Sequence, residues 1–467
     1  LKRGGGKRIF RRPVFSVFSV DLSKRNCYHY AASKHSESNM KALDLGNPKV
    51  LSTVLRLVIP AMIAQFINVL YSIVDRIYVG NIAQIGDTAL AAVGVCAPIA
   101  TLISSFAFLI GTGGAPLFSM ALGEKKDDKA SAILSNALTA LISLALIVTA
   151  VVFLFENPLL HTFGASESTY SYARQYLLIY AAGSLFSITS VGLNQYITAQ
   201  GYAGIGMATT LIGAAANIAL DPLFIFVFRM NVAGAAVATV ISQFLSFLFV
   251  LIFLRMKGTK IRLLLRKPDF SVIGKIVRLG ISPFLIMATD SVIIIISNAV
   301  LQAHGGADGD AWITVSTVVQ AFFQLLTMPM LGISTGSQPV ISYNYGAKNE
   351  KIIRRAEKYI VCMCLIFTTF MTLISLVAAK PFVSLFTGTP DIVDKSIWGI
   401  RVFMLGAIPL SFQYAFVDGL TALGQPAADI FSAVLSSCVF LIVFPRVLKK
   451  RMHPEIFTKK AQNVPSK

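Results

Sequence analysis

GTGGAPLFSMALGEKK (111–126) and GSQPVISYNYGAKNE (336–350) are two versions of one phrase. Laid over each other at an offset of 223 residues, they align Gly113 with Gly336, Pro116 with Pro339, Gly123 with Gly346 and Lys125 with Lys348. The register extends outward over most of the chain. Pro60, Pro158 and Pro222 fall on Pro283, Pro381 and Pro445; Gly86, Gly183 and Gly201 fall on Gly309, Gly406 and Gly424; Asp87 falls on Asp310. Four of the five prolines between Pro60 and Pro222 are matched in this way, well beyond what composition supplies by chance. Two halves of like design in the same order are a recurrent plan for membrane transporters.

Composition points the same way. Of the 467 residues, 55% are hydrophobic and only 13% charged, with a mean hydropathy of +0.70; soluble domains average about 25% charged residues. A helical span needs about 20 mostly apolar residues. Eleven stretches qualify: 54–78, 89–111, 131–155, 170–195, 203–228, 232–254, 276–300, 312–334, 358–378, 396–418 and 427–445. Proline and glycine inside them are tolerable in a membrane helix. The sequence therefore predicts an all-α polytopic membrane protein of two pseudo-symmetric six-helix lobes, the first over 40–262 and the second, short of its last helix, over 263–445.

A net charge of +19 invites a nucleic-acid reading, but its placement argues for lipid. Lys125, Lys126 and Lys129 follow the second stretch. Arg255, Lys257, Lys260, Arg262, Arg266, Lys267, Lys275 and Arg278 surround the middle loop, and Lys348, Lys351, Arg354, Arg355 and Lys358 precede the ninth stretch. Loops 79–88, 156–169 and 301–311 carry no Lys or Arg. This alternation predicts a multi-pass protein of the plasma (cell inner) membrane with a cytoplasmic N-terminus, anionic lipid as its neighbour and no nucleic-acid partner. A monomer is expected.

Both ends depart from the plan. Residues 1–39 are basic and irregular and read as a disordered, non-native extension, since MKALDLGNPKVLSTVLRLVIP (40–60) is a plausible natural start. The sixth stretch predicts a repeat partner near 454 onward, yet 446–467 is a polar, basic tail. Truncation or an altered reading frame accounts for the missing twelfth span; a shorter natural topology is the alternative.

Cysteine and histidine carry little. Cys362 and Cys364 are two apart, not a zinc spacing. No phosphate-binding loop, GxSxG or HExxH is present. Neither an enzyme with catalytic residues nor a cofactor is expected.

What remains is polarity inside the membrane, which is costly and usually functional. Gln65, Asn68, Ser72 and Asp75 are spaced 3, 4 and 3, hence on one helical face. Asn217 and Asp221 are four apart and share a face. With Tyr176 and Thr239, near the outer starts of their spans, Asp75, Asn217 and Asp221 are expected at one depth. Two carboxylates in a low-dielectric pocket take up a proton or bind a cation, and both are the behaviour of a coupling-ion site. The alternatives are a surface pair of Asp75 with Arg76, and a helix-end role for Asp221 before Pro222. Under the offset Asp75 pairs with Asn298 and Asp221 with Phe444, so the second half lacks both acids. It has Asp290, a candidate for the substrate cavity with Gln65, Asn68 and Ser72, and Asp418, read as interfacial.

Over about 44–445 the chain resembles the multidrug and toxic compound extrusion (MATE) family of secondary transporters. The resemblance rests on IPAMIAQFINVLYSIVDRIYVG (59–80), the paired phrases at 111–126 and 336–350, NIALDPLFIF (217–226) and GAAVATVISQ (234–243). It is greatest for the DinF-like and archaeal branch. It implies twelve helices in two lobes around a cleft, exporting amphipathic, mostly cationic small molecules against entry of H⁺ or Na⁺. It also implies that Asp75, Asn217, Asp221, Thr239 and Tyr176 match the family's first-lobe cation site, with Na⁺ held at Asp75, Asn217 and Asp221 where Na⁺ is the ion. Pro60 matches the position where first-helix bending has been proposed. Asp290 and Asp418 lie near acids of other branches without sharing their local motif.

Two alternatives to a cation-coupled exporter stand. One is a flippase for a lipid-linked saccharide or other large amphiphile, which a ring of basic residues inside the cleft would favour. The other is an inactive truncated product.

Overall fold

The computed structural model describes residues 42–304, 309–386 and 389–424. The expected extension 1–39, the eleventh stretch, the missing twelfth span and the tail 446–467 lie outside them. Every regular element among the described residues is helical. In the first half these are α1 (Val50–Gly80), α2 (Gly86–Gly123), α3 (Asp127–Leu154), the short α4 (Glu156–Thr162), α5 (Glu167–Ala199), α6 (Ala203–Pro222) with a π-helical turn (Leu223–Val227), and α7 (Asn231–Arg255). The second half contributes α8 (Phe270–His304), α9 (Gly309–Gly346), α10 (Glu350–Val383) and α11 (Pro390–Ala422). Eight helices among the described residues are long and apolar enough to cross a membrane, nine if the bent pair Pro390–Met404 and Gly406–Ala422 is one span. Helices stand where the first ten spans are expected, but they run longer than the apolar windows. At 38 residues, α2 would extend about 57 Å, against about 30 Å of hydrocarbon, so its polar ends project beyond it.

The offset seen in the sequence is a register of structure. α2 and α9 begin and end at matching positions, and so do α5 and α11. α2 and α9 also stop in the same way. Lys126 N–H donates to the Ala121 carbonyl (2.9 Å) and Asn349 N–H to the Asn344 carbonyl (2.8 Å), with Lys125 and Lys348 both left-handed at φ 58°. That is one helix-ending motif used twice. Side chains repeat as well: Ser119 Oγ donates to the Ala199 carbonyl (3.2 Å), and Ser342 Oγ to that of Ala422 (2.8 Å). One difference lies between α3 and α4, which together match the unbroken α10. Pro158 has no N–H for the Leu154 carbonyl, and the first-half helix breaks there, whereas Pro381 is absorbed in the last turn of α10. The 42° bend in α11 falls at residue 405, whose carbonyl faces the ring of Pro409 four residues on.

In lipid, helices associate through close fit rather than hydrophobic exclusion, and small residues let backbones approach. The second helix of each half crosses to the first helix of the other, α2 on α8 and α9 on α1. Glycines line both crossings. A Cβ on Gly113 would sit 2.7 Å from Gly280 Cα, and one on Gly280 would strike the Leu109 carbonyl. On the other side a Cβ on Gly332 would lie 2.8 Å from the Ala61 carbonyl oxygen, and one on Gly336 2.8 Å from Ala61 Cβ. At the basic end, Gly123 abuts the Tyr343 carbonyl and Gly346 the Met120 carbonyl.

These contacts predict a graded response. Gly346→Ala and Gly113→Ala must push backbones apart, at a cost of about 1–3 kcal/mol, and should lower the melting midpoint in detergent. Gly94→Ala in α2, where a Cβ meets nothing within 4 Å, should leave the midpoint unchanged or raise it. Equal melting of all three variants would contradict the packing described.

Candidate cation and substrate site

α1 packs on α6, and at Asp75 its polar face meets that helix. Gln65, Asn68, Ser72 and Asp75 are all half-buried, and Asn68 Nδ2 donates to Gln65 Oε1 at 3.1 Å. Asp75 is ten residues beyond Gln65, about 15 Å along the axis, so the face has two polar levels. Across from the Asp75 level, Asn217 and Asp221 are buried on one side of α6, 3% and 0% exposed. Asp221 stands in the last turn of α6, before Pro222, and is fully buried there. Asn217 Nδ2 is shared between Asp221 Oδ1 (3.1 Å) and Thr239 Oγ1 of α7 (3.4 Å). The Asp75 and Asp221 carboxyl groups lie within side-chain hydrogen-bonding reach of each other.

Aromatic residues close this level. Tyr176 on α5 is buried and its ring stacks on that of Tyr180, centroids 6.2 Å apart. Tyr176 and Tyr71 both lie within electrostatic range of Asp75, and Tyr71 also of Asp221. Tyr71 and Tyr180 were not singled out from the sequence. A signal was present, since Tyr71 precedes Asp75 by four residues and Tyr180 follows Tyr176 by four, each pair on one face.

Three oxygens of the cluster are buried with no hydrogen-bond partner: Asp75 Oδ1, Asn217 Oδ1 and Asp221 Oδ2. Buried acceptors left without donors are costly, the more so when charged. Two carboxylates and an amide oxygen are also the hard ligands that a proton or a small cation seeks. Among the described residues no group of three or more His, Cys, Asp or Glu could hold a metal ion. The donors are all oxygen, which suits a proton or a hard cation rather than a thiophilic metal.

Pro60 lies inside α1, one residue before Ala61, the contact point for Gly332 and Gly336. Asp290 is within α8, but its side chain lies outside the described residues, as does that of Asp418 in α11. The second half has an acid that the sequence reading placed just outside its ninth span. Glu357 is inside α10, 5% exposed, and its carboxylate occupies the space beside Gly419. Its repeat partner is Leu134, and that of Gly419 is Tyr196, whose hydroxyl donates to the Ile110 carbonyl at 3.0 Å. An aromatic ring in one lobe is thus replaced in the other by a carboxylate, beside a Gly419 that neighbours Ser334, Ser337 and Gln338.

Comparison with known proteins agrees with this architecture. A family model described as MatE matches twice, at residues 60–223 and 284–445. Curated relatives include the multidrug export protein MepA of Staphylococcus haemolyticus (strain JCSC1435), 28% identical over 387 residues, covering 82% of this chain and 84% of the relative. MepA of Staphylococcus aureus (strain MSSA476) is 27% identical over 397 residues, covering 84% and 86%. Similar solved structures include an outward-facing conformation of a multidrug resistance MATE family transporter of the MOP superfamily, at TM-score 0.77, 23% identity and coverage of 84% and 86%. A MOP superfamily transporter from Pyrococcus furiosus, whose reversed pocket polarity suggests a different function for it, has TM-score 0.76, 23% identity and coverage of 86% and 89%. With both halves matched by the family model and ten long helices in the family's arrangement, this chain belongs to the MatE family of membrane proteins.

Proposed function

We propose that the chain is a cation-coupled antiporter that exports organic cations and other amphipathic small molecules by alternating access. The observation that supports this reading is the meeting of Asp75 on α1 with the Asn217–Asp221 pair on α6, each of the three with a buried oxygen that has no hydrogen-bond partner. The names of the MepA relatives, multidrug export proteins, support the substrate class. The basic end, with Lys125, Lys126, Lys348 and Lys351, faces the cytoplasm of a plasma-membrane protein. The flippase reading needs basic residues inside the cleft. Arg76, Arg174, Arg229 and Arg401 are all exposed, and Arg174 pairs with Glu156 at 2.8 Å.

The mechanism follows from charge. With both carboxylates ionised, Asp75 and Asp221 repel each other and attract a cationic substrate to the polar face of α1. A proton or Na⁺ arriving from outside binds between them and cancels that attraction. Asn217 holds Asp221 in place while Thr239 holds Asn217. Removing the repulsion lets α1 bend near Pro60, where the ring deletes a backbone hydrogen bond. The polar face then closes and releases the drug outward. The lobes rock to expose the site inward, where the ion leaves.

Two outcomes test this in proteoliposomes loaded with ethidium. Asp75→Asn should cut efflux driven by a proton or sodium gradient at least about tenfold, equivalent to about 1.4 kcal/mol, with insertion and monodispersity unchanged. Full gradient-driven efflux by that variant would remove Asp75 from the mechanism. Asn217→Ala distinguishes the ions. If Na⁺ is coupled, the loss of a ligand should raise the half-saturating Na⁺ concentration by about tenfold; if H⁺ is coupled, efflux at saturating proton gradient should change by less than about threefold.

A further inference from the structure

The short segment before α1 belongs to both lobes at once. Leu43 N–H donates to the Gly201 carbonyl (3.2 Å), at the turn between α5 and α6 in the first lobe. Gly201 has φ +93°, and a Cβ there would lie 2.7 Å from the Leu43 carbonyl oxygen, so the approach is backbone to backbone. Two residues later the chain is in the second lobe. Leu45 is fully buried, and it shares a hydrophobic cluster with Val340, Ile341, Ile352, Ile353, Leu420 and Leu423. Its carbonyl accepts from Asn344 Nδ2 at 2.8 Å, and Asn344 is itself fully buried near the end of α9. A Cβ on Gly46 would lie 3.3 Å from Tyr343 Cε1.

Local turns stiffen this strap. Asp44 Oδ1 accepts from Gly46 N–H (3.0 Å) and Asn47 Oδ1 from Lys49 N–H (2.9 Å). The linker between the lobes also touches both, with Lys260 Nζ 6.0 Å from the centroid of the Tyr343 ring of α9. It docks on the first lobe through Ile261 N–H to Gln200 Oε1 (3.0 Å), Arg266 N–H to Ser135 Oγ (2.9 Å) and Asp269 N–H to Asn136 Oδ1 (2.7 Å). The strap is also outside the repeat: the partners of Leu45 and Asn344 under the offset are Pro268 and Ala121.

We propose that residues 42–49 are a latch that holds the cytoplasmic side closed and sets the ratio of outward-open to inward-open protein. The latch rests on the alternating-access reading given above. Opening the basic end separates α1 and α2 from α9, and the strap, anchored to Gly201 on one side, must then surrender the Asn344 bond and withdraw Leu45 from the second lobe's core. The cost of that withdrawal is a bias toward the closed state, independent of the ion site.

The test uses the full chain with its five cysteines replaced and spin labels at exposed Lys129 and Lys351, reconstituted in nanodiscs. Distances are measured by double electron–electron resonance with and without ethidium. Asn344→Ala should raise the inward-to-outward ratio by about fivefold, the shift that corresponds to about 1 kcal/mol for one lost buried hydrogen bond, and Leu45→Ser should raise it further. A second route does not depend on a weakened variant. Gly46→Cys with Tyr343→Cys, bridged by a short bis-methanethiosulfonate, should abolish ethidium efflux, and a thiol reductant should restore it. If the unmutated chain shifts between two distance populations while Asn344→Ala leaves their ratio unchanged and the bridged pair transports normally, the latch is wrong. If the unmutated chain shows one population both with and without ethidium, at low and high pH and with and without Na⁺, alternating access fails and the latch with it.

Discussion

Backbones meet without side chains between them at the basic end of this molecule, and the arrangement of the lobes depends on that approach. Lipid offers helices no gain from hiding apolar surface, so their association rests on fit. Gly113 against Gly280, Gly336 and Gly332 against Ala61, Gly123 against Tyr343 and Gly346 against Met120 supply the fit. These contacts account for two of the glycine pairs that keep the repeat register. Gly113 and Gly336 are the same position of the two halves, used in the two equivalent crossings, as are Gly123 and Gly346. A duplicated fold that closes on itself through one surface must preserve that surface twice.

The polar interior is under no such constraint, and there the halves diverge. The Asp75–Asn217–Asp221 cluster is not repeated by the second half's sequence, where Asn298 and Phe444 stand at the positions of Asp75 and Asp221. The reverse exchange puts Glu357 and Gly419 where the first half packs Leu134 and Tyr196. Each half thus carries a carboxylate at positions where the other half's sequence has none. Symmetry governs the contacts between lobes, while asymmetry within them gives the two lobes different chemistry.

Much of this was legible in the chain. The offset of 223 fixed the pairing of helices because prolines and glycines report backbone geometry, which duplication conserves even where side chains have drifted. The spacing of Asp75 from Asn68 and Ser72, and of Asn217 from Asp221, was readable because helical periodicity is a local rule. Other features were not local. The meeting of Asp75 with Asp221 depends on how α1 and α6 pack, and the burial of Glu357 on how α10 lies against Gly419. Apolar windows also underestimated helix length, since hydropathy marks the hydrocarbon and not the helix; that error left Glu357 just outside the ninth span. The strap at Leu43–Leu45 gave no signal, because a buried leucine in a loop looks like any other leucine.

Stiffness is distributed unevenly around the carboxylates, and this decides which of them can move. Asp221 is held by Asn217, and Asn217 by Thr239. Just beyond Asp221, Pro222 lacks an N–H and the chain widens into the π-helical turn, where Phe228 N–H reaches back to the Leu223 carbonyl at 2.9 Å. Gly234 of α7 packs on that turn with room for no Cβ, 2.8 Å from the Phe224 carbonyl oxygen. α6 and α7 therefore act as one body. α1 is different: around Pro60 it is clamped to the second lobe by Leu57 and Val58 before the proline and Ala61 just after it, and beyond these its half-buried polar face reaches α6 at Asp75. If the proposed mechanism holds, a change in charge between Asp75 and Asp221 acts on the part of α1 beyond Pro60 against a fixed partner, with Pro60 near the boundary between the part that can yield and the part that cannot. On the proposed mechanism, the same boundary carries the signal onward, because the residue after Pro60 is the one on which Gly332 and Gly336 of the opposite lobe rest.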